Sequence, residues 1–239
     1  TTSNYVSAIK ILGTGTNNVD LGSAGIESLR LSNGTNTVYT GSGDVTSIFA
    51  YSGATNNITV GTGTVDQIRF SHGTHSITAT EGESGEQGYI GSILVYGGET
   101  NLNLGSGGAA SVRLGGGSDT VRTGSGWVGQ IKTGDGDDAI TIGSGGIEML
   151  HSGSGDDVIT VNGSFESIMA GYGDDSITIG NLSWNRDSFS APSVNGGAGS
   201  DTFILGPYAD TDASIVIDGG YDSAIDVVDF SSYTTDLNI

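Results

Sequence analysis

Carboxylates crowd beside glycines in one recurring motif of this sequence. In "TGDGDDAITIG", residues 133–143, three of four consecutive positions are aspartates: Asp135, Asp137 and Asp138. Two carboxylates about 5 Å apart repel by roughly 0.8 kcal/mol in water, and by several times more beside a low-dielectric surface. Ca²⁺ takes about six to eight oxygen ligands, and it accepts carboxylates and backbone carbonyls together. Glycine turns expose such carbonyls, so the residue types predict calcium ligation.

The motif belongs to a repeat of about 19 residues. A related segment, "SGDDVITVNGS", begins at Ser154, and another, "NGTNTVYTGSG", begins at Asn33. Each repeat contains a short alternating strand, such as 140–142, and a second strand of the form I-x-x-L, joined by Gly-rich turns. Two strands this short cannot bury an apolar face alone, whereas stacked repeats can. The sequence therefore predicts an all-β parallel solenoid of roughly ten coils, each about 4.8 Å from the next.

Composition and charge restrict the partners of the chain. Its 239 residues include 27 acidic and 7 basic side chains, a formal net charge of −20, and no cysteine. Nucleic acid and anionic membranes are therefore unfavourable partners for the surface as a whole. No apolar run is long enough to predict a membrane span. Residues 1–114 carry 8 of the acidic side chains and residues 115–239 carry the other 19, so cation binding is expected mainly in the second part.

The aspartate turns resemble a known calcium-binding repeat. "GGAGSDTFI", residues 196–204, is similar to the nonapeptide G-G-x-G-x-D-x-U-x of RTX proteins, the hemolysin-type calcium-binding repeat family. "GDGDDAITI", "GSGDDVITV" and "GYGDDSITI" match the core of that motif. The resemblance implies a right-handed parallel β-roll with several calcium ions between successive turns. It also implies export by type I secretion and folding outside the cell.

The resemblance assigns the ligands residue by residue. Aspartate ligands fall on Asp119, Asp138, Asp157, Asp175 and Asp201. Carbonyl ligands fall on Gly134, Gly136, Gly153, Gly155, Gly171, Gly173, Gly197 and Gly199. The remaining acidic residues of these turns, Asp135, Asp137, Asp156 and Asp174, are expected to face solvent or to lie behind the direct ligands.

Two departures from the family pattern limit the predicted sites. The second turn of each coil reads "GSGG", "GSGW" or "NGSF", without aspartate, so metal is expected along one edge only. In the first half of the chain the ligand position itself reads Asn17, Asn36, Asn56, His75 and Thr100. Neutral amides can stack and hydrogen-bond along a solenoid without any ion. We therefore expect calcium-poor coils over 1–114, calcium-binding coils over 115–206, and an irregular β segment over 207–239 that begins a continuing region.

A row of basic and apolar residues is predicted on the outward face of the second strand. Its members are Arg30, Phe49, Arg69, Leu94, Arg113, Lys132, His151 and Met169. Such a strip on an acidic protein could bind an anionic glycan or a partner surface, with Arg30, Arg69, Arg113 and Lys132 as binding residues. The alternative is a mixed solvent face, on which Glu27 and Asp66 screen the arginines. Two insertions, 80–89 and 181–195, are expected to project as loops, and the second carries the candidate binding residues Trp184 and Arg186.

No catalytic arrangement is recognisable. The three histidines are His72, His75 and His151, and none stands in a nucleophile–base spacing, so an enzyme is not expected. The predicted function is a calcium-binding structural or adhesive module of a secreted or cell-surface bacterial protein, as in adhesins and S-layers. The alternative is a non-catalytic targeting or folding module of a larger secreted enzyme or toxin.

Overall fold

The computed structural model describes residues 5–51, 53–79, 88–180, 191–206 and 214–232. Within these ranges every regular element is a β-strand, and every strand pair is parallel. The described residues therefore contain no helix that could cross a lipid bilayer. The predicted architecture is confirmed: the chain winds into a parallel β-solenoid of about ten coils, each of about 19 residues.

Two strands in each coil build the two long sheets. The first sheet contains β1 (Tyr5–Lys10), β3 (Gly25–Leu31), β5 (Val45–Ala50), the start of β7 (Val65–Ala79), β8 (Ile90–Gly97), β10 (Ala109–Arg113), β12 (Val128–Asp135), β14 (Ile147–Ser154), β16 (Phe165–Tyr172), β18 (Ser193–Ala198) and β20 (Val216–Asp218). The second sheet contains β2 (Thr16–Asp20), β4 (Thr35–Tyr39), β6 (Ala54–Val60), the end of β7, β9 (Thr100–Asn103), β11 (Thr120–Arg122), β13 (Ala139–Ile142), β15 (Val158–Val161), β17 (Ser176–Ile179), β19 (Thr202–Leu205) and β21 (Val227–Asp229).

The register places equivalent residues of successive repeats directly beside each other. Ile140 pairs with Ile159, and Ile159 pairs with Ile177, so one interior position is filled by the same residue type in coil after coil. Alternation along each strand sends such side chains inward, where Leu150, Ile159 and Ile168 have no exposed surface. A thin, continuous apolar core therefore runs along the solenoid and fixes the stacking of the turns.

The structure places the end of the second insertion and residues 214–232 more closely than the sequence did. Strand β18 begins at Ser193, so the last three residues of the loop predicted over 181–195 belong to the first sheet, because Val194 alternates into the core. Strands β20 and β21 pair in parallel with β18 and β19, so residues 214–232 add another coil to the stack. Residues 80–87 and 181–190, which hold most of both insertions, lie outside the described residues.

Candidate functional site

The first corner, the turn leading from the first sheet to the second, contains two glycines of positive φ in each of the four coils with Asp138, Asp157, Asp175 or Asp201. Gly153 and Gly155 have φ angles of +128° and +124°, a backbone conformation that residues with a Cβ rarely adopt. A Cβ on Gly153 would overlap the carbonyl oxygen of Gly134, and one on Gly155 would overlap that of Gly136. The predicted carbonyl ligands therefore point from one coil towards the backbone of the next.

The inner aspartate ladder is the row of side chains that ends this corner in successive coils. Its five sequence-predicted members, all at most 2 % exposed, are Asp119, Asp138, Asp157, Asp175 and Asp201. The backbone N–H of Asp138 donates to Oδ1 of Asp157 at 2.8 Å, and that of Asp157 donates to Oδ1 of Asp175 at 2.8 Å. One oxygen of each carboxylate thus accepts a backbone N–H from the preceding coil, and the ladder joins coils along the solenoid.

The second oxygen of each inner carboxylate has no partner. Oδ2 is buried and without a hydrogen bond in Asp119, Asp138, Asp157, Asp175 and Asp201. Burial raises the pKa of Asp119 and Asp175 to about 7 and that of Asp138 to about 6, although backbone N–H groups and the nearby hydroxyls of Thr100 and Thr133 oppose the shift. A buried, unpaired carboxylate oxygen is costly. A proton or a cation bound at this oxygen would remove that cost.

An outer aspartate ladder, formed by Asp137, Asp156 and Asp174, runs beside the inner one on the exposed side of the corner. Its hydrogen bonds have the opposite direction: the N–H of Asp156 donates to Oδ1 of Asp137 at 2.9 Å, and that of Asp174 donates to Oδ1 of Asp156 at 2.8 Å. The gap between two coils therefore holds one inner and one outer carboxylate. Burial is the largest cause that raises the pKa of Asp157, and among the neighbouring charges that of Asp137 raises it most.

The first half of the chain fills the inner ladder position with neutral groups. Nδ2 of Asn17 donates to Oδ1 of Asn36 at 2.9 Å, and Nδ2 of Asn36 donates to Oδ1 of Asn56 at 2.9 Å. Asn56 Nδ2 lies 3.1 Å from Nδ1 of His75, whose pKa is lowered by burial. At Thr100 the donor changes from a side chain to the backbone: the N–H of Thr100 donates to Oδ1 of Asp119 at 2.7 Å.

Sequence reasoning missed one member of the inner ladder. The N–H of Asp201 donates to Oδ1 of Asp226 at 3.0 Å, so Asp226 occupies the next position. The corner before it is two residues longer than the preceding one, since Gly219 and Asp226 correspond to Gly196 and Asp201. The signal in the sequence was an aspartate directly before the alternating "VVDF", the same order as in "DTFIL".

The donor set of the first corner fits a hard cation better than a side-chain metal cluster. Within the described ranges, no group of three or more histidine and acidic side chains is placed to hold a metal. The atoms left without a hydrogen bond at this corner are instead carboxylate oxygens, the Oδ2 atoms of the inner ladder. Oxygen-only ligation with backbone carbonyls is characteristic of Ca²⁺.

The strand register also aligns the outward basic row. Arg30 pairs with Phe49, Phe49 with Arg69, and Arg69 with Leu94, as the repeat predicted. The row continues from Leu94 to Arg113 and Lys132, and Lys10 precedes Arg30 at its beginning. Lys10 was missed because the first repeat is irregular in sequence. Trp184 and Arg186 lie outside the described residues.

Comparison of the chain with family models, with curated proteins and with solved structures finds no match.

Proposed function

We propose that this chain is a calcium-binding repeat module of the RTX type, in which ions between successive first corners hold the coils after residue 115 together. The observation that carries the proposal is the run of five buried carboxylates, each with an Oδ2 atom that lacks a partner. A protein at neutral pH does not accumulate such groups unless something positive binds them.

The proposed ligands are the inner ladder and the glycine carbonyls of the same gaps. When bound, calcium supplies the positive charge that the chain itself lacks at this edge. The backbone N–H bonds to Oδ1 orient each carboxylate, and the positive-φ glycines bring the coils close enough for carbonyls and carboxylates to share a gap. Asp226 extends the proposed ligand set by one coil.

The proposed setting is the bacterial cell surface or the extracellular medium, with a structural or adhesive role and no catalysis. Calcium is abundant there, and modules that use it bind with dissociation constants of about 10⁻⁴–10⁻³ M. The absence of cysteine gives the sequence no disulfide staple, so metal ions would serve that purpose in a thin-cored protein. A rod of stacked coils suits a spacer or a binding surface.

Isothermal titration calorimetry with CaCl₂ tests the proposal. The wild-type chain should bind several ions, and Asp157→Asn should bind fewer, because the Asp157 carboxylate lies in the gap between its coil and the preceding one. The matched control is Glu166→Gln, which removes the same charge from an exposed position on the outer face of β16. Absence of calcium binding by the wild type, or an unchanged number of ions in Asp157→Asn, would refute the assignment.

A further inference from the structure

A groove on the outer face of the first sheet lies in the coils that precede the inner aspartate ladder. It has a volume of about 520 Å³, and its lining includes Arg30, Phe49, Tyr51, Arg69 and Tyr96. A second cavity of about 420 Å³, which shares Arg30 and Tyr51, extends it towards Lys10. We call this continuous depression the Arg–Tyr groove; none of these residues belongs to either aspartate ladder.

Positive charge is concentrated along the Arg–Tyr groove, although the protein as a whole is negatively charged. The chain has 7 basic residues and a net charge of −20. The row that forms the groove and continues beyond it contains five of the seven: Lys10, Arg30, Arg69, Arg113 and Lys132. This strip therefore favours an anionic occupant, although the rest of the surface repels one.

Between Arg30 and Arg113 the cations alternate with apolar residues, whereas Lys10 and Lys132 occupy the coils directly before and after this stretch. Arg30, Arg69 and Arg113 occupy every second coil, and Phe49 and Leu94 occupy the coils between them. At about 4.8 Å per coil, successive arginines are separated by about 9.6 Å along the solenoid. Negative groups that recur at about this distance on a straight chain would each meet a guanidinium.

Aromatic rings stand beside the arginines in the same groove. Tyr51 is 61 % exposed and Tyr96 is 48 % exposed. Arg69 donates a hydrogen bond to the Tyr96 hydroxyl, and its guanidinium carbon lies 5.1 Å from the centre of that ring. The contact holds the Arg69 side chain across the groove, with Tyr96 rather than Asp66 as its partner. Exposed rings next to fixed guanidinium groups can pack against apolar faces of a ligand while the charges bind its anions.

We infer that the Arg–Tyr groove binds a linear acidic polysaccharide that lies along the solenoid axis. One coil spans nearly the length that one pyranose adds to an extended chain, so each sugar faces one coil. Every second sugar would direct a carboxylate to the protein, to be bound in turn by Arg30, Arg69 and Arg113, while the sugars between them pack on the apolar residues. Nucleic acid fits less well, because each strand of a duplex carries a phosphate about every 3.4 Å.

Binding to immobilised polysaccharides at fixed calcium concentration and moderate salt tests the inference. The probes are hyaluronan, which carries one carboxylate per disaccharide, polygalacturonate, which carries one on every sugar, and neutral dextran. The variant Arg30→Gln/Arg69→Gln removes two groove cations, and Tyr96→Ala removes a ring. The control is Arg122→Gln, which removes one exposed cation from the second sheet. Circular dichroism verifies that each variant retains the wild-type β signal.

We expect hyaluronan to bind the wild type, the double arginine variant to bind about tenfold more weakly or less, and Arg122→Gln to bind like the wild type. Tyr96→Ala should also weaken binding, and dextran should not bind. The inference fails if no acidic polysaccharide binds, if Arg122→Gln loses as much affinity as the groove variant, or if duplex DNA binds more tightly than hyaluronan. Because the groove shares no residue with the proposed calcium ligands, these outcomes are independent of the calcium titration.

Discussion

The two halves of the solenoid fill one position of the coil with opposite chemistry. In the first half, the amides of Asn17, Asn36 and Asn56 each supply both a donor and an acceptor, so the row satisfies itself side chain to side chain. In the second half, ionised carboxylates such as Asp138 and Asp157 can only accept. They recruit a backbone N–H from the neighbouring coil for one oxygen, and the other oxygen is left without a partner.

The difference shows that a repeat fold can keep the same backbone arrangement while the groups that join neighbouring coils change. The register and the apolar core continue unchanged from β4 to β19. What changes is whether an inner position carries its own hydrogen-bond donors. A coil with asparagine bonds its inner row through its own side chains, whereas under the proposed function a coil with aspartate also needs a bound positive charge.

The largest expected effect is a difference in hydrogen-exchange protection between the two halves when calcium is removed. Excess chelator should abolish amide hydrogen-exchange protection in β13, β15 and β17 and leave protection in β4 and β6 almost unchanged, because only the former lie beside the carboxylate row. Exchange measured by mass spectrometry resolves both sets of peptides in one sample. Loss of protection in both halves together, or in neither, would contradict the comparison.

A smaller but still severe effect is expected from Gly153→Ala. The new Cβ would meet the Gly134 carbonyl and force an unfavourable backbone conformation at φ +128°, which alone costs on the order of 1–3 kcal/mol. Gly15→Ala is the matched control, since a Cβ there has nothing within 4 Å. Urea denaturation in saturating calcium measures both variants, and equal midpoints would argue against close stacking at the corner.

Replacing the carboxylates by amides should convert one half into the other. The variant Asp138→Asn/Asp157→Asn/Asp175→Asn gives these coils the donors that Asn36 and Asn56 supply in the first half. We expect it to retain its β-sheet circular dichroism in chelator and to bind fewer calcium ions. If the variant unfolds on chelation like the wild type, the missing donor is not the reason for the dependence on the ion.

The most modest expected effect is a pH dependence of opposite sign in the two halves without calcium. Folding raises the pKa of Asp119 and Asp175 to about 7, so the stability from their protonation is complete below pH 3.8 and is lost as the pH rises through about 7. His75 has a lowered pKa, so its contribution is present above pH 6.5 and decreases as the pH falls towards the folded value.

Acidification from pH 8 to pH 5 in chelator should therefore increase protection of the carboxylate coils and decrease it around His75. Hydrogen exchange, corrected for the intrinsic rate at each pH, measures both changes. A decrease of similar size in both halves would show that the buried carboxylates do not control stability. Asn56→Ala provides a control in which the ladder next to His75 is interrupted while the aspartates are unaffected.

The repeat pattern was sufficient to predict the sheets, the register and the alignment of the inner rows, because apolar and polar residues alternate in the same way in each repeat. It also predicted the amide contacts of Asn36 and Asn56, since stacked identical groups must meet. Sequence reasoning did not find the use of backbone N–H groups as donors to Asp157 and Asp175, which depends on where each strand begins. The groove around Tyr51 and Tyr96 was also missed, because it is formed between repeats that differ.

Thr100 lies where the asparagine row ends and the inner aspartate ladder begins, so the two halves of the solenoid meet at this residue. The coils before it bond their inner row through their own side chains, and at their edge the backbone N–H of Thr100 donates to Oδ1 of Asp119. Each later coil contacts only its neighbours, so under the proposed function order would spread from this edge one turn at a time as calcium binds. We therefore expect the first half to serve as a built-in template, so that assembly proceeds from one end instead of starting at random along the chain.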